Sequence, residues 1–170
     1  MSIEILNQKD AVDKIKQIVK SAEIGMFTTS LTELPLNSRP MATIDVDDEG
    51  NLWFFSDNNS TKNYDIIEDN HVQVFYANKS SSEYLSVYGK AEISIDKQKI
   101  KELWTPIAKA WFTEGQEDPS ISLIKVTPVD VYYWDTKNNK LISLIKIAAA
   151  VVTGKTMDGG VEGKLSVWCD

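Results

Sequence analysis

A mainly β domain follows from three features of the sequence, with its strands curled into a closed or partly closed antiparallel barrel and short helices in the connections. Met41 to Val46 and Leu52 to Ser56 are apolar runs joined by Asp47-Asp48-Glu49-Gly50-Asn51. A connection this short and this rich in Asp, Gly and Asn joins only antiparallel neighbours, which argues against a doubly wound parallel sheet. Residues 71–78 and 84–95 carry further strand patterns. The helical stretches between such runs are short. Six or seven strands result, and closing a sheet on itself is one of few ways to leave no exposed edge.

The elements can be justified in order. Val12, Ile15, Ile18, Val19 and Ala22 recur at helical spacing, so residues 8–22 form an amphipathic helix, with Asn7 as N-cap and Asp10 and Asp13 in the first turns. Gly25 to Ser30 is a first strand, and Thr32 to Ser38, with Pro35, a loop. Ser60 caps a short helix over 61–69, with Tyr64 and Ile67 expected on one face. Val72, Val74 and Tyr76 alternate with Gln73 and Phe75 in the next strand, which His71 begins. Tyr84 to Ile95 is a long strand in which Gly89 marks a bulge or kink. Asp96 caps a helix with Ile100, Leu103, Trp104 and Ile107 at i, i+3, i+4 and i+7. Pro106 interrupts it, so Thr105-Pro106 reads as N-cap and first residue of a second helical segment that ends near Gly115. Ile121 to Thr127 and Val129 to Trp134 are two strands punctuated by Pro128. Leu141 to Val152 is ambiguous between helix and buried strand. Four glycines between 154 and 163 make residues 155–170 a loop-like, mobile tail. With no internal repeat or linker, residues 1–170 read as one domain.

Composition excludes several function classes. The net charge is −7 and the isoelectric point about 4.8, unlike a general nucleic-acid binder. A single cysteine, Cys169, excludes an internal disulfide and favours a cytoplasmic home. The longest apolar run, Ile147 to Val152, is too short to span a membrane, and Met1 to Asp10 has no signal pattern. One His and one Cys cannot form the usual zinc site or a Cys–His pair. Asp45, Asp47, Asp48 and Glu49 lack calcium-loop spacing and read as a solvated turn.

Two motifs carry candidate chemistry. Arg39, the only arginine in the chain, opens the run Arg39-Pro40-Met41-Ala42-Thr43-Ile44. Its guanidinium suits multi-bond recognition of phosphate or carboxylate, although a solvated arginine flanking a strand is the plainer reading. Ser60-Thr61-Lys62 opens a helix. Free N–H groups at a helix start, two hydroxyls and a lysine suit a phosphate, and an ordinary cap with a solvent-facing lysine suits the residues equally well. Taken together, across one short hairpin, Arg39 and Lys62 can converge on a dianion. Trp104, Trp111 and Phe112 read first as core or dimer interface, which leaves Trp111 available to cover a flat cofactor by stacking.

The chain resembles the general-stress-protein branch of the pyridoxamine 5′-phosphate oxidase-like flavin-binding split barrels. Matching features run in order over roughly residues 8–154: Arg39-Pro40-Met41, Leu52-Trp53-Phe54-Phe55-Ser56, Ser60-Thr61-Lys62 and Tyr84-Leu85-Ser86-Val87-Tyr88-Gly89-Lys90-Ala91. Asp96 with Ile100-Lys101-Glu102-Leu103-Trp104, Trp111-Phe112, Ile124-Lys125-Val126-Thr127-Pro128 and Tyr133-Trp134-Asp135 follow. The resemblance implies a six-stranded antiparallel Greek-key split barrel, assembled as a homodimer with two flavins at the subunit interface. It implies that Arg39 and Lys62 bind the FMN phosphate, with Ser60 and Thr61 assisting. It also implies that strand 41–44, with Met41, Ala42 and Thr43, runs under the isoalloxazine, and that Phe55 and Ser56 face the ring. Thr61 stands where the family usually has a basic residue.

The expected function is an FMN-dependent oxidoreductase with a small-molecule substrate or electron donor. A non-catalytic, redox-responsive flavin-binding protein is the alternative, and a flavin-free barrel a third reading. FAD or a deazaflavin in place of FMN stays open. True pyridoxamine 5′-phosphate oxidases grip the substrate phosphate with arginines near the C-terminus, and no arginine follows Arg39, so that activity is disfavoured.

Overall fold

The structure is a computed structural model that describes residues 8–135 and 140–144. An amphipathic helix α1 (Gln8–Ala22) leads into β1 (Ile24–Thr29), β2 (Asn37–Ala42), β3 (Asp45–Val46) and β4 (Leu52–Asp57). After α2 (Thr61–Glu68) come β5 (His71–Asn78), β6 (Glu83–Ser94) and α3 (Lys97–Leu103). Two 3-10 turns, Pro106–Ala110 and Gly115–Glu117, precede β7 (Ile121–Asp135) and β8 (Lys140–Leu144).

Every strand pairing is antiparallel, and the order is β2-β1-β5-β6-β7-β4-β3, with β8 added to β7. The two ends of that order, β2 and β3, are consecutive in the chain and separated only by Thr43 and Ile44. The backbone N–H of Thr43 donates to Glu23 O on the β1 side at 3.0 Å, and that of Ile44 to Trp53 O on β4 at 2.8 Å. One bent strand therefore serves both edges and curls the sheet into a barrel. Counted that way, β1, β2–β3, β4, β5, β6 and β7 are the six barrel strands, as the resemblance implies.

Two apolar cores fill the fold. Val12, Ile15, Ile18 and Val19 of α1 lie against Phe27, Val72, Val74, Tyr76, Leu85 and Val87, so the helix plugs the barrel. Ile15 and Ile18 are fully buried, and truncation of either to alanine costs about 2–5 kcal/mol. The second core puts Trp53, Ile121 and Leu123 beneath Ile100, Leu103 and Phe112. Because side chains alternate along a strand, β4 contributes to both: Leu52 and Phe54 to the first, Trp53 and Phe55 to the second.

Local sequence explains most boundaries. Asp96 caps α3 by accepting from the N–H groups of Gln98 and Lys99. The Asp47 turn is more ordered than a solvated loop. Its carboxylate accepts from the N–H groups of Glu49 and Asn51, from the Asn51 amide and from Trp53 Nε1. Burial pushes the Asp47 carboxyl up, but these donors outweigh it and hold it below its ordinary value.

Four expectations need correction. Residue 37 already belongs to β2, so the loop after β1 is shorter than residues 32–38. On α2 the buried residues are Asn63 and Ile66, while Tyr64 and Ile67 are exposed. Ile107 is likewise exposed, because the chain leaves α3 at Trp104 before the helical spacing can carry it inward. Pro128 does not divide a strand. It pairs with Gly89 where the β6–β7 register shifts, and Val129 is the extra, unpaired residue of the bulge. A bulge accommodates a residue with no N–H, so β7 runs unbroken. Of the ambiguous stretch from Leu141, residues to Leu144 are strand; Ile145 onward, Cys169 and the glycine-rich tail included, lie outside the described residues. No helix among the described residues is long and apolar enough to cross a membrane.

Candidate functional site

Arg39 and Met41 project to the inner side of β2, where Arg39 pairs with Phe27 and Met41 is buried. The Arg39 guanidinium is fixed from its neighbours on β1 and α2. Its NH1 donates to Thr29 Oγ1 at 2.9 Å, and its NH2 lies 3.7 Å from Asp65 Oδ2. Burial lowers its pKa from the ordinary arginine value, opposed by Asp65. It remains cationic at any physiological pH.

Lys62 is the second residue of α2 and is half-buried. Burial lowers the pKa of its ammonium, the positive charge of Arg39 lowers it further, and Asp57 opposes both. Among the described residues Lys62 has no ion pair. Two like charges are thus held within electrostatic reach of each other in a partly desolvated place. Such an arrangement is unfavourable alone and favourable around an anion. The donor set, a planar guanidinium, an ammonium, hydroxyls and a helix start, fits a phosphomonoester.

The helix start is anchored by a buried polar network. Ser56 Oγ donates to Asn63 Oδ1 at 2.7 Å, Ser60 Oγ to the same atom at 3.2 Å, and Asn63 Nδ2 to Ser122 Oγ at 2.9 Å. Ser122 Oγ in turn donates to Ser56 O at 3.1 Å. Asn63, Ser56 and Ser122 are buried, so these bonds fasten α2 to β4 and β7. The Ser60 hydroxyl is spent here and does not cap a backbone N–H. Thr61, the first helical residue, is exposed.

The remaining predicted residues fall into separate places. Pro40 and Ala42 lie on the outer side of β2, opposite to Arg39, and are exposed. Thr43 sits at the strand switch, its Oγ1 2.7 Å from the hydroxyl of buried Tyr76. Burial pushes the Tyr76 hydroxyl above its ordinary range despite that bond. Phe55 and Ser56 project from opposite faces of β4. Ser56 joins the network below α2, whereas the Phe55 ring packs edge-on against Trp104 and Phe112 at 5.7 and 6.0 Å. Trp111 is 68 % exposed and belongs to neither core. The structure therefore places Lys62, Ser56 and Ser60 at the start of α2 and ties Arg39 to Asp65 of the same helix, and leaves Trp111 and the outer residues of β2 elsewhere.

Sequence reasoning missed Thr29, Asn37, Asn63 and Asp65. For Asp65 a signal existed: three residues beyond Lys62, it shares that face of α2. For Asn63 there was none, because a polar residue between two apparent surface positions of a short helix gives no hint of burial.

Residues 10–158 match the family described as pyridoxamine 5′-phosphate oxidase like. The protein bli-3 of Neurospora crassa is 29% identical over 160 residues, covering 88% of this chain and 76% of that one. The general stress protein 26 of Bacillus anthracis superimposes with a TM-score of 0.65 at 27% identity, covering 78% of this chain and 98% of that one. A general stress FMN/FAD binding protein of Xanthomonas citri superimposes at 0.66 and 20% identity, covering 92% and 99%, a likeness of fold. With the family match spanning most of its length and the barrel built as described, this chain belongs to the pyridoxamine 5′-phosphate oxidase-like family.

Proposed function

We propose that this protein binds FMN and serves as a flavin-dependent oxidoreductase. The observation that carries the reading is that two half-buried cations share one helix: Lys62 is its second residue, and Arg39 lies 3.7 Å from Asp65 three residues further along, close enough for its charge to act on Lys62. Either would be cheaper to keep apart and in water, and a bound phosphomonoester dianion reverses that balance. The exposed Thr61 hydroxyl and the backbone at the helix start add hydrogen-bond donors, while Ser60, its proton engaged by Asn63, can only accept or position the turn. The FMN/FAD binding protein of Xanthomonas citri, which shares the fold, supports flavin as the owner of the phosphate.

The ring needs flat apolar walls. Strand 41–44 is proposed as one. The outer face of the sheet, opposite to Arg39, is a separate apolar surface. There Pro40, Met26 and Phe75 stand in register across β2, β1 and β5. Ile24, Tyr84 and Trp134 extend this exposed apolar surface. A second copy of the chain is its proposed occupant, giving a homodimer with flavin at the subunit interface. The exposed ring of Trp111 is available to stack on a flat cofactor. Bound flavin would supply the redox chemistry at its ring, while the protein holds, orients and desolvates it. Arg39, Lys62 and the hydroxyls around them are assigned to holding the anion, and the proposal asks none of them to transfer a proton. A chain with one cysteine and an acidic surface suits the reducing cytoplasm.

The test is to load the purified protein with FMN, remove free flavin and add NADH, NADPH or a quinol without oxygen. Bleaching of the bound flavin, followed by reoxidation with turnover, is the expected result. Retention of flavin without reduction by any donor would favour a non-catalytic flavin carrier. Failure to retain FMN at all would end the flavin reading.

A further inference from the structure

The only proton of the Thr29 hydroxyl has a direction fixed by chemistry. Thr29 is fully buried, and its Oγ1 meets two partners: Arg39 NH1 at 2.9 Å and Asp65 Oδ2 at 2.5 Å. A guanidinium can only donate, so Thr29 must accept from Arg39. The hydroxyl proton is then left for Asp65, which as a carboxylate can only accept. Asn37 Nδ2 donates to the same carboxylate oxygen at 3.0 Å. The result is a directed chain, Arg39 to Thr29 to Asp65, closed by the 3.7 Å approach of Arg39 NH2 to Asp65.

This chain joins the two halves of the anion site. Arg39 comes from β2, and Lys62 comes from α2. Asp65 lies on α2 three residues after Lys62, so the helix that delivers one cation also tethers the other. Without a tether the two positive groups would repel, and a long arginine side chain would swing toward water. The tether engages the NH1–NH2 end of the guanidinium and leaves N–H groups unspent. Burial of Thr29 forbids it an easy alternative partner.

We infer that Thr29 and Asp65 are positioning residues that hold Arg39 pre-oriented beside Lys62, so that the site selects a phosphomonoester over the same ligand without its phosphate. The inference rests on the FMN-binding reading and names the residues that give that site its phosphate preference.

The experiment compares FMN with riboflavin, which lacks the phosphate, by fluorescence titration of the full chain. Wild type is expected to bind FMN more tightly than riboflavin. Thr29→Val keeps the shape and removes the hydroxyl, and Asp65→Ala removes the acceptor from a partly exposed helix position. Each should weaken FMN about tenfold and leave riboflavin within about twofold of wild type. Thr29→Ser should restore FMN affinity. Loss of FMN and riboflavin affinity together would mark a merely structural role and overturn the proposal. So would FMN affinity unchanged in both variants. If Thr29→Val does not fold, Asp65→Ala decides. A wild type that binds the two flavins equally would overturn the phosphate reading itself, an outcome distinct from the variants retaining a preference that wild type shows.

Discussion

Lys62 lies within electrostatic reach of Arg39, and burial together with that like charge holds its ammonium below the ordinary lysine range. A half-buried cation next to another cation is a poor choice for stability. Replacing Lys62 should therefore separate folding from binding. Lys62→Ala is expected to weaken FMN binding by ~1–3 kcal/mol, the range for a lost charge-assisted hydrogen bond. The flavin-free variant should melt within about 3 °C of wild type or above it. Titration calorimetry and thermal melts check the two halves; unchanged FMN affinity would move the phosphate elsewhere.

The same lowered pKa sets a pH dependence whose sign differs for binding and folding. Lys62 attracts a phosphate only while protonated. FMN affinity should therefore fall as pH rises through its lowered pKa, before the ordinary lysine value of about 10.4. On the acid side affinity should fall below about pH 6, where the ligand phosphate takes up its second proton. For the flavin-free protein, the unfolded chain binds more protons between the lowered and the ordinary pKa. The Lys62 contribution to stability must then rise with pH in that window. Dissociation constants from pH 5 to 10 should trace this two-sided profile, and Lys62→Met should lose the alkaline limb.

The row Pro40, Met26 and Phe75 predicts an assembly. Placing a charge in this row, as in Phe75→Glu, should yield monomers without unfolding, because the Phe75 side chain is 49 % exposed and outside both cores. Light scattering should report a dimer for wild type and half that mass for the variant, with unchanged circular dichroism. A monomeric wild type would remove the proposed partner from the flavin site.

Gly89 faces Pro128 at the bulge between β6 and β7. A Cβ at Gly89 would lie 2.5 Å from the backbone oxygen of Thr127, which cannot swing aside as a side chain can. Gly89→Ala should destabilise the fold by about 1–3 kcal/mol, the usual cost of overpacking. Denaturant unfolding would measure it, and a neutral variant would mean the two strands are less tightly paired than described.

These residues also show what could be read in advance. Alternation located β5, the apolar run after the Asp47–Asn51 turn located β4, and Asp96 announced its helix, because those signals are local. Gly89 was legible as a bulge. Pro128 was misread as a strand break, since the residue that accommodates it lies on another strand. On α2, Tyr64 and Ile67 are apolar and exposed while Asn63 is polar and buried, an inversion of simple patterning. Asn63 can be buried only because Ser56 of β4, Ser122 of β7 and Ser60 just before the helix satisfy its amide. Arg39 and Lys62 could be proposed as partners from their types and order. Their anchoring through Thr29 and Asp65 depends on which strand lies beside which helix. Barrel closure at Thr43 and Ile44 was equally hidden, because neither residue differs from an ordinary strand residue.

FMN titration of the freshly purified, flavin-free chain, with riboflavin in parallel, decides whether Arg39 and Lys62 form a phosphate site. Saturable uptake of one FMN per chain and distinctly weaker binding of riboflavin are expected if Arg39 and Lys62 recognise the phosphate. No uptake of FMN, or equal affinity for the two flavins, would contradict it.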